Sequence, residues 1–164
     1  MAIGFGFDIH RLVPDRPLVL GGVEIPYSYG LMGHSDGDAL LHAVIDAVLG
    51  AAGKGDIGQW FPDKDPTIEG ISSREMLQKV IGEIGQAWSV VNVDVTVVAE
   101  EPRIAPYRDA IRECLGALLE TECVSIKGKT MERLGPIGNR EAIAAYAVVE
   151  LSKRENQKDG TSFI

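Results

Sequence analysis

Between Val91 and Ala99 the chain reads VNVDVTVVA, and no other stretch limits the fold as much. Val93, Val95 and Val97 fall on one side of an extended backbone and Asn92, Asp94 and Thr96 on the other. β-Branched residues at every second position lose side-chain freedom in a helix and pack well on a pleated surface. The chain must therefore build a sheet with one covered face.

Other segments supply strands for that sheet and helices to cover it. Residues 2–9 (AIGFGFDI) form a strand with Ile3, Phe5 and Phe7 on one side and a glycine-thinned side carrying Gly4, Gly6 and Asp8. Residues 17–25 (PLVLGGVEI) read as a hairpin, because Gly21-Gly22 can adopt the positive φ angles of a tight primed turn. A helix is expected from Ser35 as N-cap, with a core stripe of Leu41, Val44, Ile45, Val48 and Ala52. Ser72 or Ser73 can cap a second helix to about Gln86, burying Met76, Leu77, Val80, Ile81 and Ile84. Pro106 opens a third, burying Tyr107, Ile111, Cys114, Leu115 and Leu118. Val124 to Lys129 is a short strand. The final segment, about Glu141 to Lys153, reads as a helix packing Ile143, Ala144, Ala147, Val148 and Leu151. The architecture expected is α+β with α/β-like interleaving. It has a mixed sheet of about four main strands, helices on one face, and a small N-terminal hairpin.

At 164 residues and 17.7 kDa there is material for one core. Residues 1–153 are expected to form a single catalytic domain and 154–164 a polar, frayed tail. A net charge of −8 and a pI near 4.9 argue against nucleic acid and anionic membrane as partners. No apolar run approaches the roughly 20 residues of a membrane span. Strand-like alternation begins at once, and the two cysteines, Cys114 and Cys123, suit a reducing compartment, so the expected location is cytoplasmic.

Chemistry concentrates between His34 and Asp65, where two histidines and six aspartates occur with a glycine-rich turn. Asp38, His42 and Asp46 recur at every fourth position, which places them on one helix face, the arrangement of a metal ligand with orienting carboxylates. Asp8 and His10 alternate on a strand and so share a face. His34 and Ser35 precede a helix N-terminus, where free N–H groups attract anions. Gly55 to Gly58 offers backbone N–H groups at close approach. Two histidines and one aspartate fit tetrahedral zinc with an open position, but the same set describes non-haem iron oxygenases. Lys127, Lys129, Thr130 and Glu132 favour an anion and a second metal over dioxygen. A non-catalytic nucleotide-binding or assembly module is the third reading open at this point.

Several separated motifs together resemble one family. They are Gly4 to His10 (GFGFDIH), His34 to Asp38 (HSDGD), His42-Ala43, Asp46-Ala47, Gly50-Ala51, Gly55 to Gly58 and Phe61 to Asp63. Asn92 to Thr96, Glu101 to Arg103 and Glu132 to Gly135 extend the match to about Ser152. The family is that of the 2-C-methyl-D-erythritol 2,4-cyclodiphosphate synthases, cyclases of the non-mevalonate isoprenoid pathway. The resemblance implies a homotrimer with sites between subunits. It implies a substrate carrying a cytidine diphosphate, whose 2-phosphate attacks the β-phosphorus and expels CMP.

By the same resemblance Asp8, His10 and His42 would hold zinc or another divalent transition metal, and Glu132 magnesium or manganese. His34 and Thr130 would stabilise the transition state. Ser35, Asp56, Ile57 and Gly58 would line the methylerythritol pocket, with Phe61, Pro62, Asp63, Lys64 and Asp65 as its edge. Ala99, Glu100, Glu101, Pro102, Arg103, Ile104 and Ala105, with Lys129 and Met131, would take the cytidine end. Two departures stand out. Arg103 occupies a position where many members carry Lys. The loop Gly135-Pro136-Ile137-Gly138-Asn139-Arg140 lacks the family's aromatic and shifts its arginine by one, which leaves the parts of Asn139 and Arg140 unassigned. Asp46, on the central helix, is a further site candidate without an assigned part.

Overall fold

The computed structural model describes residues 1–62 and 70–154. Its main sheet runs in the order β4-β1-β7-β5-β6, with β1 Ala2–Pro14, β4 Tyr29–Leu31, β5 Trp88–Val98, β6 Val124–Lys129 and β7 Ala142–Lys153. Among the described residues only β5 and β6 pair in parallel, so the sheet is mixed. β2 Leu18–Leu20 and β3 Val23–Ile25 form the separate hairpin, and Gly21 and Gly22 take φ of 62° and 74° as a primed turn requires. The helices are α1 Ala39–Ala52, α2 Ile57–Trp60, α3 Ser73–Ile84, α4 Arg108–Leu119 and α5 Gly135–Gly138, with a 3-10 turn at Ala105–Tyr107.

The strand expected at Val91 to Ala99 is present, and Val93, Val95 and Val97 are fully buried. The third and second helices also form as expected, α3 starting with a complete capping box between Ser72 and Glu75.

The final segment is not a helix. Residues 142–153 form β7, the central strand, paired with β1 on one side and β5 on the other. Its alanines favour a helix locally, but Ile143, Ala145, Ala147, Val149 and Leu151 alternate and are all buried. Ladder pairing on both edges overrides the propensity. The edge strand β4, not among the strands expected from the sequence, extends the sheet by pairing with the far end of β1.

α1 lies across the sheet and is buried nearly all round, including Ala43, Ala47 and Ala51. It approaches β1 so closely that a Cβ at Gly4 or Gly6 would fall on the carbonyls of Ala47 and Ala43. The glycine-thinned side of β1 is therefore the covered one. Gly6→Ala should destabilise the fold by about 3 kcal/mol or more, because backbone cannot yield as a side-chain tip can. Urea denaturation tests this, and a loss under about 1 kcal/mol would contradict it.

The opposite side of β1 carries Ile3, Phe5, Phe7 and Ile9, all exposed; Phe5 is 63% exposed. Tyr146 and Val148 of β7 continue this face, the Phe7 and Tyr146 rings lying 4.9 Å apart. Among the described residues the helices sit on one face of the sheet, as the sequence implied, and leave an apolar face open.

α1 begins later than expected. Asp38, not Ser35, is its N-cap, so Asp38 does not share a helix face with His42 and Asp46. Its buried carboxylate accepts the N–H groups of Leu41 at 3.0 Å, Gly21 at 2.9 Å and Gly22 at 2.7 Å, which ties the hairpin turn to the helix. Burial pushes its carboxyl up to about 6 against those three donors, and the nearby Asp36 adds to the rise. Arg154, expected to begin a frayed tail, donates its N–H to the Ala87 carbonyl at 2.9 Å. The remaining tail, 155–164, lies outside the described residues.

Candidate metal centre and cleft

β1 turns the side chains of Asp8 and His10 toward α1, and α1 meets them with His42. Asp8 Oδ2 lies 2.8 Å from His10 Nε2 and 3.0 Å from His42 Nδ1. The two nitrogens are 3.2 Å apart. One donor atom from each of the three residues thus lies within 4.8 Å of the others, a cluster able to hold a metal ion. Each ring is fixed from behind: His10 Nδ1 faces the Met32 carbonyl at 2.5 Å and His42 Nε2 faces Ser73 Oγ at 2.9 Å. A carbonyl only accepts, so His10 carries its proton on Nδ1 and presents Nε2 to the cluster. Two nitrogens and a carboxylate converging on one point, with outer partners in place, fit a divalent transition metal.

Electrostatics agree with that reading. Burial works to raise the Asp8 carboxyl, but the His10 and His42 imidazoles facing it outweigh that effect and hold the group far below the usual carboxylate range. The hydrogen bond to Asp8 raises His10 above an ordinary imidazole, against the opposing effect of burial. A proton on His10 Nε2 must leave before a metal binds there. Metal affinity should therefore fall as pH drops through His10's raised pKa, by up to about tenfold per pH unit for one displaced proton. Zinc titrations against a chelator at stepped pH check this, and a flat profile below neutrality would contradict it.

The cluster opens onto a cleft of about 310 Å³ lined by His10, His34, Ser35, His42, Ile57, Gly58, Phe61 and Met76. His34 and Ser35 stand in the loop ahead of α1 and not at its capped terminus. Asp46 Oδ1 accepts the Ile57 N–H at 2.8 Å and so pins the start of α2 against α1. Asp56 caps α2, accepting the Gln59 N–H at 3.0 Å. Pro62 is described and exposed, whereas Asp63, Lys64 and Asp65 lie outside the described residues.

A second cluster forms where β5 and β6 end. The Ala99 N–H donates to the Lys129 carbonyl at 2.9 Å. Glu100 Oε2 accepts the N–H of Met131 at 3.2 Å and of Arg133 at 3.3 Å. Gly128 packs against Ile104, and Arg140 pairs with Glu101 at 2.9 Å. Thr130 Oγ1 donates to Glu132 Oε1 at 2.7 Å. The fold thus brings residues 99–105 and 129–133 together, with Arg140 tied to them; Asn139 is exposed beside Arg140. It does not bring them to the metal cluster, because β7 and β5 stand between β1 and β6. At about 4.8 Å per strand the separation is on the order of 10–14 Å.

A model of the YgbB family matches residues 1–152. The chain belongs to the YgbB family. This YgbB-family chain is 55% identical to the 2-C-methyl-D-erythritol 2,4-cyclodiphosphate synthase of Symbiobacterium thermophilum, over 94% of this chain and 100% of that one. A solved 2C-methyl-D-erythritol-2,4-cyclodiphosphate synthase in its CDP-bound form superposes with TM-score 0.83 at 36% identity, covering 92% of this chain and 99% of that one. The Plasmodium falciparum IspF CDP complex gives TM-score 0.82 at 34% identity, covering 94% and 97% respectively.

Sequence reasoning missed three contributors to the site of this YgbB-family member. They are the Met32 carbonyl behind His10, Ser73 behind His42, and Met76 in the cleft wall. A backbone carbonyl leaves no trace in residue types. Met76 was legible only as part of an apolar stripe. Ser73 did leave one: two serines stand at the α3 start where one cap suffices, and Ser72 is the cap.

Proposed function

We infer that the chain is a metal-dependent cyclase converting 4-diphosphocytidyl-2-C-methyl-D-erythritol 2-phosphate to 2-C-methyl-D-erythritol 2,4-cyclodiphosphate with release of CMP, a phosphorus–oxygen lyase. The observation that carries this reading is the convergence of Asp8, His10 and His42 at a cleft lined by His34, Ser35, Ile57 and Gly58 in a YgbB-family chain. Residues 1–153 act as one catalytic domain.

In the reaction an oxygen of the 2-phosphate forms a bond to the β-phosphorus, and the bond from that phosphorus to the bridging oxygen breaks. CMP leaves with the bridging oxygen. The attacking oxygen is already anionic, so no general base is needed, and positioning with charge neutralisation does most of the work. Divalent ions, zinc at Asp8, His10 and His42 and magnesium at Glu132, would supply positive charge to the diphosphate in a chain of net charge −8.

His34 and Thr130 brace the charge that develops in the transition state. Ser35, Asp56, Ile57, Gly58, Phe61 and Pro62 hold the methylerythritol end. Residues 99–105, Lys129 and Met131 take the cytidine end. Asp46 supports the pocket from behind by holding Ile57.

The separation of the two clusters across the sheet, and the open apolar face of β1 and β7, support an assembly in which the cytidine end of one chain serves the metal cluster of its neighbour. The family resemblance supplies the number three, a homotrimer. Free thiols at Cys114 and Cys123 support a cytoplasmic location.

Protein supplied with zinc and magnesium should release CMP from this substrate, stop on treatment with EDTA, and resume when both ions return. Undiminished release after chelation would contradict the reading.

A further inference from the structure

Ser73 is one of two fully buried polar residues among the described ones, and nothing in capping α3 requires it there. Its hydroxyl touches both an acceptor and a ring nitrogen of the metal cluster. We propose that Ser73, backed by Asp36, is the positioning group that commits His42 to bind the metal through Nδ1. This rests on the metal reading of Asp8, His10 and His42 given above.

The argument is a count of protons. Ser73 Oγ lies 2.5 Å from Asp36 Oδ1 and 2.9 Å from His42 Nε2. A carboxylate only accepts, so the single hydroxyl proton of Ser73 goes to Asp36. What remains facing His42 is a lone pair, and Nε2 must carry the ring proton. Nδ1 is then bare, and Nδ1 is the atom aimed at Asp8 Oδ2 and His10 Nε2.

The opposite tautomer would donate from Nδ1 to Asp8 and block the cluster. It would also set a bare Nε2 against a hydroxyl whose proton is already committed. Asp36 is itself held in place, its other oxygen accepting the Ser73 N–H at 3.2 Å and Oδ1 accepting the Asp38 N–H at 3.3 Å. Ser35 Oγ stands 3.4 Å from both His42 Nε2 and Ser73 Oγ, too long to replace either contact. The relay therefore links the metal cluster to the first turn of α3, the helix that also brings Met76 to the cleft.

The test compares wild type, Ser73→Ala and His42→Ala in zinc affinity by chelator competition. It adds long-range proton–nitrogen spectra of the zinc-loaded proteins. Outer partners of metal-bound histidines are worth roughly 10–100-fold in affinity, so Ser73→Ala should lose that much. Excess zinc should restore its CMP-forming turnover, which a merely misfolded variant would not recover. The His42 Nε2–H signal, protected from exchange in wild type, should exchange rapidly or vanish. Should Ser73→Ala fail to fold, Ser73→Cys keeps the volume with a poor acceptor and should show the same loss.

Zinc affinity within about twofold of wild type in the serine variant, with affinity lost in His42→Ala, would overturn the positioning role and leave the metal centre standing. Wild-type affinity in His42→Ala would overturn both.

Discussion

Replacing His42 by alanine is expected to lower CMP formation by about a thousandfold or more, with bound-metal content falling in step. His42 supplies one of three donors at the cluster, and the two that remain, Asp8 and His10, are neighbours on one strand. Metal stabilisation of transferring phosphoryl charge is worth several kcal/mol, and each 1.36 kcal/mol is a tenfold change in rate. The fold should survive, because alanine is the best helix former and His42 lies inside a well-packed α1. Activity within about tenfold of wild type in a folded, metal-depleted His42→Ala protein would contradict the role assigned to the cluster.

If chains associate through the open face as proposed, Phe5→Asp should give single chains and remove most activity, while leaving zinc affinity unchanged. Phe5 points away from the core, so its loss opens no cavity. It stands among Ile3, Phe7 and Tyr146 on the exposed face, its ring 6.3 Å from that of Tyr146. Truncating an aromatic anchor at an interface costs roughly 2–4 kcal/mol, and an unpaired buried carboxylate adds to that. Dissociation constants between chains should therefore rise by about 30-fold to 1000-fold or beyond. Sedimentation at several concentrations reads the association, and the CMP assay reads whether activity follows it. A Phe5→Asp monomer with full turnover would show that one chain holds the whole site.

Much of this structure was legible in the sequence where a local rule and the tertiary fold agree. Val93, Val95 and Val97 announce a half-covered strand, Gly21-Gly22 a tight hairpin, and Ser72 with Glu75 a helix start. The pairing of Asp8 with His10 follows from strand periodicity. That His42 completes the set is a contact between residues 34 positions apart, which periodicity alone does not reach.

Disagreement appears where long-range packing reverses a local preference. Alanines at 142, 144, 145 and 147 suggest a helix, but the strand pairs on both edges, and Ala145 and Ala147 are small on the face that α1 crosses. Ile3, Phe5 and Phe7 look like core, yet the close approach of α1 selects the glycine side of β1 and turns the aromatics outward. Asp38 matches the spacing of a helix-face ligand, but a neighbouring hairpin turn recruits it as a cap. The second cluster was readable as polar loops, whereas its distance from the metal ligands depends on strand order.

The most direct measurement follows the reaction in ¹⁸O-labelled water and identifies the product by phosphorus NMR. Attack by the substrate's own 2-phosphate gives a cyclic diphosphate with two mutually coupled phosphorus signals, equimolar CMP, and no label in either product. A linear 2,4-bisphosphate, or label in product or CMP, would mean that water is the nucleophile and the chain a hydrolase, and would contradict the cyclase account.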